Sequence, residues 1–150
     1  MRRTAIWLAA GAVALLAPAA AQAAKTHYSG SFDEAQGSAF SFDVVKKQRT
    51  RTVRNVEFTG VPTYCSDGGM HGLNGSSNVK AKVGKDLRFV GTSYSEVPGG
   101  FIVFAQLRGE FRQNRAIAAG RLILTSRMIG AGGFVDCSSG FAEFTVARQP

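Results

Sequence analysis

This chain of 150 residues is poor in the side chains that most enzymes and metal sites depend on. It holds two cysteines, two histidines and one tryptophan. Cys65, Cys137, His27 and His71 fall at spacings that match no compact zinc pattern, and no metal or cofactor is expected. The nucleophile elbow G-x-S-x-G and the zinc-protease motif H-E-x-x-H are both absent. "IGAGGF" resembles a nucleotide fingerprint only in composition, because it precedes a strand pattern and opens no helix. The N-terminal apolar run is too short for a bilayer span, and no second apolar segment could cross one. Nor does any later segment keep a 3.6-residue apolar period between helix caps.

The chain opens "MRRTAIWLAAGAVALLAPAAAQA". Arg2 and Arg3 precede an apolar stretch from Ile6 to Ala17, Pro18 interrupts it, and Ala21-Gln22-Ala23 places small residues where a signal peptidase reads. That order predicts a cleaved secretory signal over residues 1–23 and a single mature domain over 24–150. The expected location is therefore secreted or at the cell-envelope exterior. Loss of Arg2 and Arg3 takes the 18 basic residues to 16 against 10 acidic ones, a mature charge of +6. Trp7 leaves too, which argues against a sugar platform of exposed indoles. A mature chain of about 127 residues suffices for one domain with a real core. In an oxidising compartment Cys65 and Cys137 are expected to pair.

Period-2 alternation runs through the rest. "AFSFDVV" puts Phe40, Phe42 and Val44 on one face and Ser41 and Asp43 on the other. "FIVFAQLRGEFR", "AIAAGRLILTSR" and "FAEFTVAR" alternate in the same way, separated by turn signals such as "KKQRTR", "VGKD" and "RQNR". Seven to nine strands with short turns predict an all-β fold, an antiparallel β-sandwich (jelly-roll-like or a flattened barrel) with one disulfide. The eleven phenylalanines are expected to fill the interior. Gly109 and Gly120 interrupt apolar strand faces and mark a bend or a close approach. The stretch from Tyr64 to Asn78 is read as a long glycine-rich connection anchored at Cys65.

"YSGSF", "VEFTGVPTYC", the pair "LRGEF" and "AAGRL", and a late C-S-S-G-x-x-x-F-T-V together resemble small exported β-rich proteins of high-GC bacteria. The resemblance implies a sandwich fold and carries nothing about activity.

Two regions are candidates for function. A Cys65–Cys137 bond would bring Asp67, Asp136 and His71 into one neighbourhood, a candidate catalytic set for a hydrolase or a pair of carboxylates for Ca²⁺. Against it, neighbouring strand residues such as Asp136 and Cys137 point to opposite faces. "KKQRTRTVR" packs Lys46, Lys47, Arg49, Arg51 and Arg54 around a hairpin turn with no acid among them, which suits anionic polymers or lipid headgroups. Arg108, Arg112, Arg115, Arg121 and Arg127 form a second basic set, and the binding reading gains if the two share a face. Nucleic acid is disfavoured for an exported chain without an aromatic-rich basic motif. The leading expectation is an exported, non-catalytic binding or envelope-associated domain. The alternatives are an extracellular hydrolase using Asp67, His71 and Asp136, and a protease-inhibitor-like presenter of the Tyr64–Asn78 stretch.

Overall fold

Strand follows strand along almost the whole described chain. The computed structural model describes residues 23–97, 101–130 and 132–150, so the expected signal segment up to residue 22 and the turn at 98–100 lie outside the described residues. The strands are β1 (Ala24–Phe32), β2 (Ala39–Lys47), β3 (Thr50–Cys65), β4 (Met70–Ser77) and β5 (Ala81–Val83). They continue as β6 (Arg88–Val97), β7 (Phe101–Arg112), β8 (Ile117–Gly130), β9 (Gly133–Ser138) and β10 (Ala142–Arg148). One tight turn, Gln113–Arg115, joins β7 to β8.

All ten strands belong to one antiparallel sheet. Hydrogen bonding runs from β1 through β2, β3, β5, β6 and β7 to β8. β10 then pairs with β8 on one edge and β1 on the other, so the sheet closes on itself. The all-β, barrel-like fold expected from the alternation is what forms, because period-2 patterning leaves every strand one apolar face to bury. β3 and β8 are long enough to change partners part-way. β3 pairs first with β5 and then with β4; β8 pairs first with β10 and then with β9.

One sequence expectation is corrected here. The stretch after Tyr64 is not a long connection. Gly68 takes φ 84° in a short turn, and β4 returns along β3, pairing Tyr64 with Met70 and Val56 with Ser77. Glycine and asparagine composition suggested a loop, yet β4 is held by β3's backbone hydrogen bonds rather than by propensity.

Aromatic rings fill the interior. Phe40, Phe42, Phe89 and Phe144 are almost fully buried, with Tyr28, Phe32 and Phe111 packed beside them. Ring centroids lie 4.3 Å apart for Phe40 and Phe144 and 5.3 Å apart for the stacked Tyr28 and Phe42. Burying each such ring contributes about 2–3 kcal/mol, and each well-placed aromatic pair about 1 kcal/mol more. Not every phenylalanine joins them: Phe104, Phe134 and Phe141 lie at the surface. Gly109 and Gly120 face each other across β7 and β8, between Phe89 and Phe144 in the same row. A Cβ on Gly109 would run into the Phe89 ring, and one on Gly120 would run into the backbone of Arg108 and Gly109. The close approach read from the sequence is therefore real, and it is what gives the Phe89 ring its room over the bare backbone of Gly109.

Asp43 keeps to the face opposite Phe42 and Val44, where it pairs across the strands with His27 and Arg54, yet only 4% of it is exposed. A bulge sets Asn55 and Val56 opposite Phe42, with Asn55 at φ 51°. The bulge turns the Asn55 amide to donate to Asp43 at 2.7 Å, while Lys25 lies 2.9 Å and His27 3.0 Å from the same carboxylate. Burial by itself would raise the Asp43 pKa, but the hydrogen bonds from Asn55, Lys25 and His27 outweigh it and hold the carboxyl below its ordinary value. The resulting stabilisation is complete above the unfolded carboxyl pKa of about 4 and is lost as pH falls through the lower folded value.

Asp43→Asn should reduce the unfolding free energy by roughly 2 kcal/mol at neutral pH. Urea denaturation across pH should show the gap from the wild type closing below about pH 3. In the same assay Gly120→Ala should cost about 3 kcal/mol, because the obstacle is backbone and cannot move aside.

Candidate functional site

Antiparallel closure brings particular chain segments to one rim. The β2–β3, β5–β6 and β7–β8 turns meet there with the start of β1 and the end of β10, since Ala24 pairs with Lys46, Lys47 with Thr50 and Arg148 with Tyr28. Two small adjoining cavities open at this rim. One, of about 170 Å³, is lined by Tyr28, Val44, Lys46, Arg51, Phe111, Arg115 and Arg148 among others. The second, of about 150 Å³, is lined by Arg49, Arg51, Val83, Gly84, Lys85 and Arg115. No carboxylate lines either cavity. None of these cations joins an ion pair among the described residues, whose pairs use Lys25, His27, Arg88, Arg112 and Arg127. In the β5–β6 turn, Asp86 accepts from the Arg88 N–H at 3.2 Å.

Arg115 owes its place to an unusual turn. Gln113, Asn114 and Arg115 have φ of 47°, 53° and 69°, three consecutive left-handed residues and none of them glycine. Asparagine tolerates that region, but for glutamine and arginine each costs about 1 kcal/mol or more. The turn is held by Ala116 N–H donating to Gln113 O at 3.0 Å, by the Tyr28 hydroxyl donating to Arg115 O at 2.7 Å and by Arg148 N–H donating to Ala116 O at 2.8 Å. Burial raises the Tyr28 pKa, and Arg148, Arg115 and Arg51 pull it the other way, which places three guanidinium groups within electrostatic reach of one phenol. The Arg115 Nε–H is buried and has no hydrogen-bond partner.

Of the basic run read from the sequence, Lys46, Arg49 and Arg51 line this rim, whereas Lys47 and Arg54 line neither cavity. The second basic set divides. Arg115 joins the first at the rim. Arg108, Arg112 and Arg121, with Arg88, line an outer groove of about 600 Å³ shared with Asp33, Glu110 and Glu143. There Arg112 binds Glu110 at 2.6 Å, so that surface is of mixed charge. Arg127 lies elsewhere, against Asp136. Lys85 and Arg148 were missed as site residues, because only ring closure sets the β5–β6 turn and the last strand beside the β2–β3 turn.

A further depression, of about 490 Å³, crosses β6, β7, β8, β9 and the end of β3. Tyr94, Phe104, Thr125, Ser138 and Tyr64 form one cross-strand row in it. Tyr64 and Tyr94 stay exposed at its two ends, and the buried Ser126 hydroxyl has no partner. No single segment carries this row, so no sequence pattern announces it.

The Asp67, His71 and Asp136 neighbourhood is drawn toward the disulfide, each member with its own local partner. Cys65 and Cys137 are bonded and directly paired across β3 and β9. Asp136 holds Arg127 through both oxygens, at 2.6 and 2.9 Å, and this hydrogen bonding lowers the Asp136 pKa and raises that of Arg127. Asp67 accepts from the Gly69 N–H at 2.9 Å within its own turn. His71 is exposed on β4, opposite Thr63, and its backbone carbonyl accepts from the Thr63 hydroxyl. Among the described residues no group of three or more His, Cys, Asp or Glu is placed to hold a metal ion. Ser77 and Lys80 have S-x-x-K spacing, which sets a lysine beside a serine only on a helix. Here Ser77 ends β4 and shares its hydroxyl hydrogen bond with Ser93.

Comparison with protein families, with curated proteins and with solved structures found no match to this chain.

β9 pairs with the end of β3 at Tyr64–Ser138 and Cys65–Cys137, and Asp136 exchanges hydrogen bonds with Ser66 just beyond, so the covalent bond reinforces a short backbone pairing. Replacing both cysteines by serine should lower stability by about 2–4 kcal/mol, read by urea denaturation of the oxidised wild type against the double variant.

Proposed function

We propose that this chain is an exported, non-catalytic binding domain that engages anionic envelope polymers or anionic lipid surfaces through the basic rim of its barrel. The observation that carries this reading is convergence. Lys46, Arg49, Arg51, Lys85, Arg115 and Arg148 come from four separate parts of the chain and meet around two cavities that no carboxylate lines. Like charges gathered without counterions disfavour the folded state, and a bound polyanion relieves that repulsion. The apolar members Val44 and Phe111 give the rim a low-dielectric floor, on which each charge acts over a longer range than in water. By contrast, a hydrolase built on Asp67, His71 and Asp136 would first have to detach Asp136 from Arg127. The Tyr64–Asn78 hairpin has the disulfide at its base, as an inhibitor loop would need, but β4 lies back along β3 as a strand rather than projecting as a loop.

The test is chromatography on immobilised heparin and on polyphosphate at about 10 mM salt, where the Debye length is about 30 Å. The wild type should be retained and should elute as salt rises. Lys46→Glu/Arg49→Glu should elute much earlier, whereas Arg54→Glu/Lys80→Glu, with the same change in net charge, should elute close to the wild type. Absence of retention, or equal loss in both variants, would overturn the assignment to the rim.

A further inference from the structure

We infer that the larger rim cavity is a discrete oxyanion site, in which Arg115, Arg51, Arg148 and Lys46 close around one phosphate- or sulfate-class group. The inference deepens the proposed function and rests on it, since it names the chemical group on the polymer or lipid that the rim recognises.

Four observations lead there. The first is the turn Gln113–Arg115. Three successive non-glycine residues in left-handed conformation persist only where their surroundings enforce them, and such strain gathers at ligand sites. What the turn achieves is placement: its carbonyl is tied to the Tyr28 hydroxyl at 2.7 Å, and its arginine lines both cavities. The second is the unmet donor, the buried Arg115 Nε–H. A guanidinium has five N–H donors in a planar fork suited to two oxygens of one anion, and leaving one of them buried and unused is rare in a finished structure.

The third is charge multiplicity. Three guanidinium groups and one ammonium line a single cavity without a carboxylate, an arrangement that calls for an anion of more than one charge. A tetrahedral dianion meets that demand, whereas a single carboxylate leaves repulsion between the arginines in place. Cleavage after Ala23 would add the Ala24 α-ammonium to the same set, because Ala24 is part of the lining. The fourth is size. At about 170 Å³ the cavity is below the roughly 300–1,000 Å³ that holds drug-sized ligands, so it fits a headgroup or a free ion and leaves the rest of a larger molecule outside.

The phosphate-class group has two sources, a free or polymer-borne anion and a lipid headgroup. The experiment uses thermal shift and titration calorimetry with sodium phosphate and sodium sulfate, against sodium chloride at matched ionic strength. It is followed by flotation with vesicles containing phosphatidic acid, with and without competing phosphate. Phosphate and sulfate should raise Tm in a saturable way and chloride should not. Arg115→Gly is the decisive variant: glycine relieves the left-handed strain, so the variant should fold with an unchanged or higher Tm. It should also lose phosphate affinity by roughly tenfold or more. Arg51→Gln should weaken phosphate binding as well, and Arg54→Gln should not. Vesicle binding that phosphate competes away identifies a headgroup as the source; saturable phosphate binding without vesicle flotation identifies a soluble or polymer-borne anion. Either outcome supports the site. A folded Arg115→Gly that still responds to phosphate overturns it. So does a wild type that responds to phosphate no more than to chloride. In that last case retention on heparin would persist, leaving the basic rim as a diffuse polyanion surface without the discrete pocket.

Discussion

Ala142–Arg148 hydrogen-bonds to β1 along one edge and to the first half of β8 along the other. That double pairing turns a long antiparallel sheet into a closed ring, and the rest of the structure depends on it. Closure pairs the first and last strands of the ring, leaving β4, which pairs with β3 alone among the described residues, as an edge, and it seals the interior where Phe40, Phe42, Phe89 and Phe144 lose contact with water. Gly109 meets Gly120 across β7 and β8. Bare backbone there lets the Phe89 ring lie where any other residue would set a Cβ.

The same closure fixes what the two ends of the ring can do. At one end, three turns and the first and last strands meet, and their cations meet with them. At the other, β3, β4, β8 and β9 extend past the ring, and the Cys65–Cys137 bond ties β3 to β9 beside the row of Tyr64, Ser138, Thr125, Phe104 and Tyr94. Polar groups are treated differently in the two regions. The buried Asp43 is satisfied by Asn55, Lys25 and His27, and Ser38 and Ser139 hydrogen-bond backbone N–H groups of Phe32 and Leu124. Arg115 and Ser126, each lining a surface cavity, keep buried atoms without partners. Unsatisfied groups thus occur where the molecule opens to a ligand-sized space, and satisfied ones within its walls.

Much of this fold was legible in the order of residues. Alternation in "AFSFDVV" and "FIVFAQLRGEFR" announced half-buried strands, "KKQRTR" announced the hairpin turn, and the pair of cysteines announced one disulfide. Asp43 lies on the face the alternation gives it, but its burial was not legible, because it depends on Asn55 at a bulge and on Lys25 and His27 of the neighbouring strand. The Tyr64–Asn78 stretch was misread because glycine and asparagine favour loops when no partner strand is considered, and β3 is that partner. Of the candidate site, the sequence exposed Lys46, Arg49 and Arg51 as a local run and suggested Arg115 only as one of a scattered set. Lys85 and Arg148 gave no signal at all.

By itself the sequence determined the class of fold, the face that the alternating strands bury and the single covalent tie. These depend on residues near one another in the chain, or on the only two thiols it has. Which cations share a rim, which carboxylate is buried and which aromatic rings form a row were decided only by the tertiary structure. Each of those depends on register between strands far apart in sequence, and register is set by the whole ring closing at once rather than by any segment's own pattern.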